Sequence, residues 1–203
     1  LDLGELFVIK KFINKDNDKL FQREYKNYLN IQPYLIPHFY GKTKINNYQC
    51  LIIQYIRGKS LRDIDKIKLL EKDKLNIILQ IITIIQYLQS KNFIYRDLQP
   101  KNIIIDINKN ANLIDFDRMV NRNEEKIDTD ITKYFTNDFI CPEIKYGYIT
   151  NYTKKEDVYS LGILIYFILF NELPKIKYVD QAHNIFYSFD KLGQKYPQIQ
   201  VLC

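Results

Sequence analysis

Changes in the spacing of hydrophobic residues divide the chain into elements. Leu6-Phe7-Val8-Ile9-Lys10-Lys11-Phe12-Ile13 is rich in β-branched and aromatic residues and predicts a strand. Residues 20–31 change to helical spacing, with Leu20, Tyr25, Tyr28 and Leu29 on one side, and Pro33 and Pro37 end that helix. Residues 39–43 and 50–55 predict two more strands, with Asn46-Asn47 turning between them. Arg57-Gly58-Lys59-Ser60 is the short polar connector in this region, and it divides a front unit, residues 1–56, from a second unit, residues 57–203.

From Leu61 the pattern turns helical. Lys74 to Ser90 carries Ile77, Ile78, Ile81, Ile84, Ile85 and Leu88, a wide apolar face. Residues 102–105 and 112–114 predict short strands around the turn Asn108-Lys109-Asn110. Residues 118–140 are polar and aperiodic, which predicts a long loop of the kind that often carries function. Asp157 to Phe170 predicts a strongly apolar helix, and residues 171–203 a Pro-bounded loop with one helix. The pattern as a whole is α+β: a small antiparallel sheet with one helix, then a mainly helical unit. No internal repeat and no low-complexity linker interrupts it.

Composition narrows the function classes. The 203 residues are 46% hydrophobic, enough for a sizeable core. The net charge is +6 and the pI about 9.0, but the lysines are dispersed and no arginine–aromatic stripe forms. No nucleic-acid partner is therefore expected. Cys50, Cys141 and Cys203 are odd in number and share no metal-ligand spacing, which fits a reducing, cytoplasmic compartment. No signal peptide is visible, and the run from Leu161 to Phe170 is about half the length that crosses a bilayer. The first residue is Leu and the chain opens directly into a strand, which suggests a fragment truncated at its start and ending early.

The densest chemistry lies in Tyr95-Arg96-Asp97-Leu98-Gln99-Pro100-Lys101-Asn102, followed by Ile103-Ile104-Ile105 and then Asp115-Phe116-Asp117. An Asp and an Asn five positions apart on a tight loop, with a second Asp downstream, can hold a base and a metal around one phosphate. Alone, Asp97 and Asn102 could be turn formers around Pro100. The flanking residues favour the chemical reading. The stretch resembles the catalytic loop and Asp-Phe-Gly element of eukaryotic protein kinases. Cys141-Pro142-Glu143 and Asp157-Val158-Tyr159-Ser160-Leu161-Gly162 supply two more of the family's blocks in the family's order.

The resemblance implies a bilobal fold that binds ATP and Mg²⁺ between its lobes and phosphorylates serine or threonine of a protein substrate. Asp97 would be the base, and Asn102 and Asp115 the magnesium ligands. Lys10, after Phe7-Val8-Ile9, would hold the α- and β-phosphates with Glu24 as its acidic partner; Lys11 is the alternative register. Ile53 would back the adenine pocket, with Gln54-Tyr55-Ile56 as the hinge and Gln54 and Ile56 as its adenine-binding positions. Thr136, seven residues before Glu143, would lie near the catalytic Asp. Asp157 would bind amides of the catalytic loop. Arg96 points to control by phosphorylation, with Thr132 the first candidate site and Thr129 the second.

The chain departs from the family in four places. No Gly-rich phosphate loop precedes Lys10. Gln99 stands where serine/threonine kinases carry a lysine, and Lys101 is the basic residue that could replace it. Asp117 replaces the Gly of Asp-Phe-Gly, and Tyr95 replaces a histidine that packs under Phe116. In addition, no Arg after Arg122 is present to pair with Glu143. These departures keep open a second reading, a nucleotide-binding scaffold of pseudokinase type. A third, a small-molecule phosphotransferase of the same superfamily, is opposed by residues 136–143.

Overall fold

The structure is a computed structural model that describes residues 6–13, 17–31, 35–65, 68–122, 138–145, 153–179 and 185–196. Its front unit is a three-stranded antiparallel sheet of order β1-β3-β2, built from β1 (Phe7–Lys11), β2 (Phe39–Ile45) and β3 (Tyr48–Gln54). The β2–β3 turn is Asn46-Asn47, and both residues take left-handed backbone angles, φ 50° and 66°. Asparagine reaches this region at less cost than most residues, which is why the pair can turn the chain.

Helix α1 (Asn17–Asn30) packs on this sheet and buries Phe21, Glu24, Asn27 and Tyr28. That spacing is one helical face. Leu29, expected on it, is 60% exposed, because the face turns through two polar residues that a hydrophobicity pattern passes over. Phe21 meets Phe12 edge-on at 5.3 Å, and Tyr28 stacks on Phe39 at 5.3 Å. Aromatic contacts therefore fix the helix to the sheet.

Residues 55–57 lead into the second unit, and Gly58–Ser60, expected as connector, form a strand, β4. β4 pairs with β6 (Ile103–Asp106), which pairs with β7 (Ala111–Leu113). A Cβ at Gly58 would lie 2.2 Å from the Ile105 carbonyl oxygen, so only glycine lets the two backbones approach this closely.

The core of the second unit is α2 (Glu71–Ser90), which buries Ile77, Ile78, Ile81, Ile84, Ile85 and Leu88. Each such side chain contributes roughly 1.5–3 kcal/mol when fully buried. α2 packs on α4 (Lys154–Phe170), and the two are cross-tied: Lys74 Nζ donates to the Leu169 carbonyl at 3.2 Å and Lys154 Nζ to the Gln89 carbonyl at 2.7 Å. α4 begins with a capping box. Lys155 N donates to Thr153 Oγ1 at 3.2 Å, and the Glu156 carboxylate accepts from Thr153 N.

Several short elements complete the fold. β5 (Phe93–Ile94) pairs with β8 (Val120–Asn121), and α3 (Pro142–Lys145) follows residues 138–141. Where a loop was expected after residue 171, β9 (Lys175–Val179) and β10 (Ile185–Ser188) pair antiparallel, and the expected helix follows as α5 (Asp190–Lys195). Among the described residues, no helix is long and apolar enough to cross a membrane.

Candidate active site

The loop after β5 is held from beneath. The buried Asp157 carboxylate accepts the Tyr95 amide on Oδ2 at 2.7 Å and the Arg96 amide on Oδ1 at 2.9 Å. To present both amides to one carboxylate, Arg96 takes φ 68°, a left-handed angle that costs an ordinary residue on the order of 1–3 kcal/mol. Burial pushes the Asp157 carboxyl up to about 6 against the opposing pull of these two amides. Tyr95 packs edge-on to Phe116 at 5.7 Å, filling the space where the family carries a histidine.

Asp97 is buried and fully engaged. Asn102 Nδ2 donates to its carbonyl at 2.9 Å and to its Oδ2 at 2.8 Å. A carbonyl oxygen can only accept, so the amide nitrogen of Asn102 is fixed toward Asp97 and its oxygen is turned to the other side. Gln99 Nε2 donates to Asp97 Oδ1. Arg118 Nη1 stands 3.9 Å from the same oxygen. Lys101 is exposed on the 3-10 turn Pro100–Asn102, and no ion pair joins it to Asp97.

A second cluster gathers around Lys10. Its ammonium lies 2.6 Å from Glu24 Oε2, 2.6 Å from Asp115 Oδ1 and 3.6 Å from Asp117 Oδ2. Burial by itself favours the neutral amine, but the three carboxylates outweigh it and hold Lys10 protonated above the usual lysine range. Burial pushes the Glu24 carboxyl up to about 7, and Lys10 keeps it from rising further. Glu24 Oε1 also accepts the Phe116 amide at 3.2 Å. Burial and the negative charge of Asp115 raise Asp117 as well. Asp115 takes φ 67°, whereas Asp117 has no positive φ. The left-handed residue of this turn is thus Asp115, and a side chain in place of the family's Gly carries no backbone strain here.

The two clusters are neighbours. Ile114 N donates to the Asn102 backbone carbonyl at 3.0 Å, which sets Asp115 beside the loop of residues 95–102. Asn27, one turn after Glu24 on α1, donates through Nδ2 to the carbonyls of Phe116 and Met119, each at 2.8 Å. The same helix therefore places Lys10's partner and clamps the backbone after Asp115. Sequence reasoning missed Asn27 and Arg118. Their signals were an Asn three positions after Glu24 and an Arg directly after Asp-Phe-Asp.

Near the end of β3, at the segment expected as the hinge, Ile53 is buried. The Gln54 amide donates to His38 O at 2.8 Å and the Tyr55 amide to Leu6 O at 3.1 Å. Gln54 also spends its side chain on the His38 amide, at 3.1 Å. Both amides are therefore taken up by neighbouring backbone carbonyls. Thr136, Thr132 and Thr129 lie outside the described residues. Phe139, Cys141 and Glu143 lie inside them, with Phe139 edge-on to Phe167 at 5.7 Å and Glu143 exposed in α3.

A family model described as protein kinase domain matches residues 2–198. The chain belongs to the protein kinase domain family. Similar proteins include the dual specificity protein kinase zak2 of Dictyostelium discoideum, 28% identical over 83% of this chain and 26% of that protein. The serine/threonine-protein kinase shk2 of Schizosaccharomyces pombe is 30% identical over 63% of this chain and 21% of that protein. The mitogen-activated protein kinase pmk-3 of Caenorhabditis elegans is 33% identical over 64% of this chain and 25% of that protein. Matches to these relatives cover only about a quarter of their lengths.

Kinase domains use ATP with a divalent cation, and the donors of this kinase domain suit one. Glu24, Asp115 and Asp117 bring carboxylate oxygens within 4.8 Å of one another. Glu24 is committed through both oxygens, to Lys10 and to the Phe116 amide, whereas Asp115 meets Lys10 through Oδ1. An all-oxygen set of this kind fits a hard cation such as Mg²⁺.

Proposed function

We propose that this kinase domain transfers the terminal phosphoryl group of ATP to serine or threonine hydroxyls of protein substrates. Residues 1–56 and 57–203 act as its two lobes. The observation that carries this reading is Lys10: one ammonium, rooted in the front sheet, spans Glu24 on α1 and Asp115 beside the catalytic loop. That arrangement supports the reading, because a cation suited to phosphate and a carboxylate suited to a metal lie together.

In the reaction, Lys10 holds the α- and β-phosphates, and Glu24 fixes its orientation. Asp97 accepts the proton of the substrate hydroxyl, whose oxygen bonds to the terminal phosphorus as the bond to the β-phosphate oxygen breaks and ADP leaves. Asn102 keeps the Asp97 carboxylate turned toward that hydroxyl. Asp115 and Asn102 would hold Mg²⁺, which when bound neutralises phosphate charge. The Gln54 carbonyl and the Ile56 backbone offer the hinge contacts for adenine, and Thr136 is proposed for the substrate-facing wall.

Gln99 favours a second reading, a scaffold that binds nucleotide without transfer, because it places a neutral amide where a cation would meet the phosphate. Titration with ATP and Mg²⁺, then transfer of radiolabelled phosphate to a protein mixture with phosphoamino-acid analysis, separates the two. Labelled serine or threonine supports the enzyme; binding without transfer supports the scaffold; labelled tyrosine would widen the acceptor class.

A further inference from the structure

Gln99 leaves a charge deficit beside Asp97. The base is an anion, the arriving terminal phosphate is an anion, and Gln99 Nε2 brings only a neutral donor to Asp97 Oδ1. Lys10 is held by three carboxylates, and Lys101 makes no ion pair with Asp97. Among the ion pairs of the described residues, the cation at Asp97 is Arg118, with Nη1 3.9 Å from Oδ1.

The root of Arg118 is fixed, because its carbonyl accepts from Arg96 Nε at 2.6 Å and Arg96 is itself buried. Its side chain keeps 27% of its surface exposed, so the guanidinium lies at the open edge of a buried base. A planar guanidinium matches phosphate oxygens with two parallel donors and stays charged at every working pH.

We propose that Arg118 is a catalytic residue: its guanidinium contacts the phosphoryl group during transfer and supplies the positive charge that Gln99 lacks. The inference rests on the phosphoryl-transfer reading above. The bonds made and broken are those already stated; Arg118 exchanges no proton and stabilises only the charge on the moving group.

Steady-state transfer from ATP to a protein acceptor is measured for the wild-type chain, Arg118→Gln, Arg118→Lys, Gln99→Lys and the double variant Gln99→Lys/Arg118→Gln, with melting temperatures alongside. Arg118→Gln is expected to lower kcat by about 10²–10³-fold with a smaller change in KM for ATP. Arg118→Lys should fall less, and the double variant should regain at least about tenfold over Arg118→Gln, a rescue that a merely structural arginine would not allow. Transfer by Arg118→Gln within about threefold of wild type, or a double variant no better than Arg118→Gln, overturns the proposal. A wild-type chain that binds ATP and transfers nothing overturns the parent reading, and this inference with it.

Discussion

The Asp115 carboxylate stands 2.6 Å from the Lys10 ammonium, across 105 positions of chain. The two charges neutralise each other, and they belong to the groups proposed above to meet phosphate and metal. Magnesium-bound ATP would replace that contact with one anion for Lys10 and one cation for Asp115. Lys10→Met should therefore weaken ATP binding by at least about tenfold, measured by titration with a fluorescent nucleotide. It should also raise the Glu24 carboxyl further above about 7, because Lys10 is the group that opposes its burial. Carboxyl-detected NMR would read that shift directly.

Asn27 closes two carbonyls that no water reaches. Asn27→Ala should leave the Phe116 and Met119 oxygens unpaired and cost about 2–3 kcal/mol by chemical denaturation. Asn27→Asp should recover none of it, because a carboxylate brings two acceptors to two acceptors.

Asp157 makes stability depend on pH. Its carboxyl sits at about 6 in the fold, above the ordinary 3.8. Below the ordinary value it is protonated folded and unfolded alike. Between the two values the folded chain holds a proton that the unfolded chain has lost, so stability falls as pH rises from about 4 to about 6 and is level above. The amount is on the order of 3 kcal/mol. Asp157→Asn should flatten this slope in denaturation curves taken across the window, while lowering stability overall through the lost amide acceptor.

The framework was legible in the sequence because its signals are local. β-branched runs gave β1 and β3, the isoleucine ladder gave α2, and Asn46-Asn47 gave the turn. Elements that rest on distant partners were not: β8 is two residues long and exists only because β5 lies beside it, and β9 and β10 hold each other. At the site, motif spacing brought Asp97, Asn102, Asp115, Lys10 and Glu24 to notice. It could not reveal that the Gln54 and Tyr55 amides are taken up by neighbouring backbone carbonyls. Nor could it place Arg118 at Asp97, since that depends on how the chain turns after Asp117. The start of α4 was in reach, because Thr153 and Glu156 spell a capping box.

Gly58 tests the packing of the second sheet. Gly58→Ala would push a methyl group into the Ile105 carbonyl, which is backbone and cannot swing aside. A loss of about 1–3 kcal/mol in urea denaturation is expected, with β4 detaching from β6. Hydrogen exchange of the β4 amides should accelerate in step.

Single-turnover phosphate transfer by wild type and Asp97→Asn tests the central claim most directly. Asparagine can keep the bond from Asn102 but cannot take a proton. The account predicts transfer by the wild-type chain and a fall of about 10²–10⁴-fold in Asp97→Asn, with ATP affinity unchanged. Equal transfer by both proteins would contradict it.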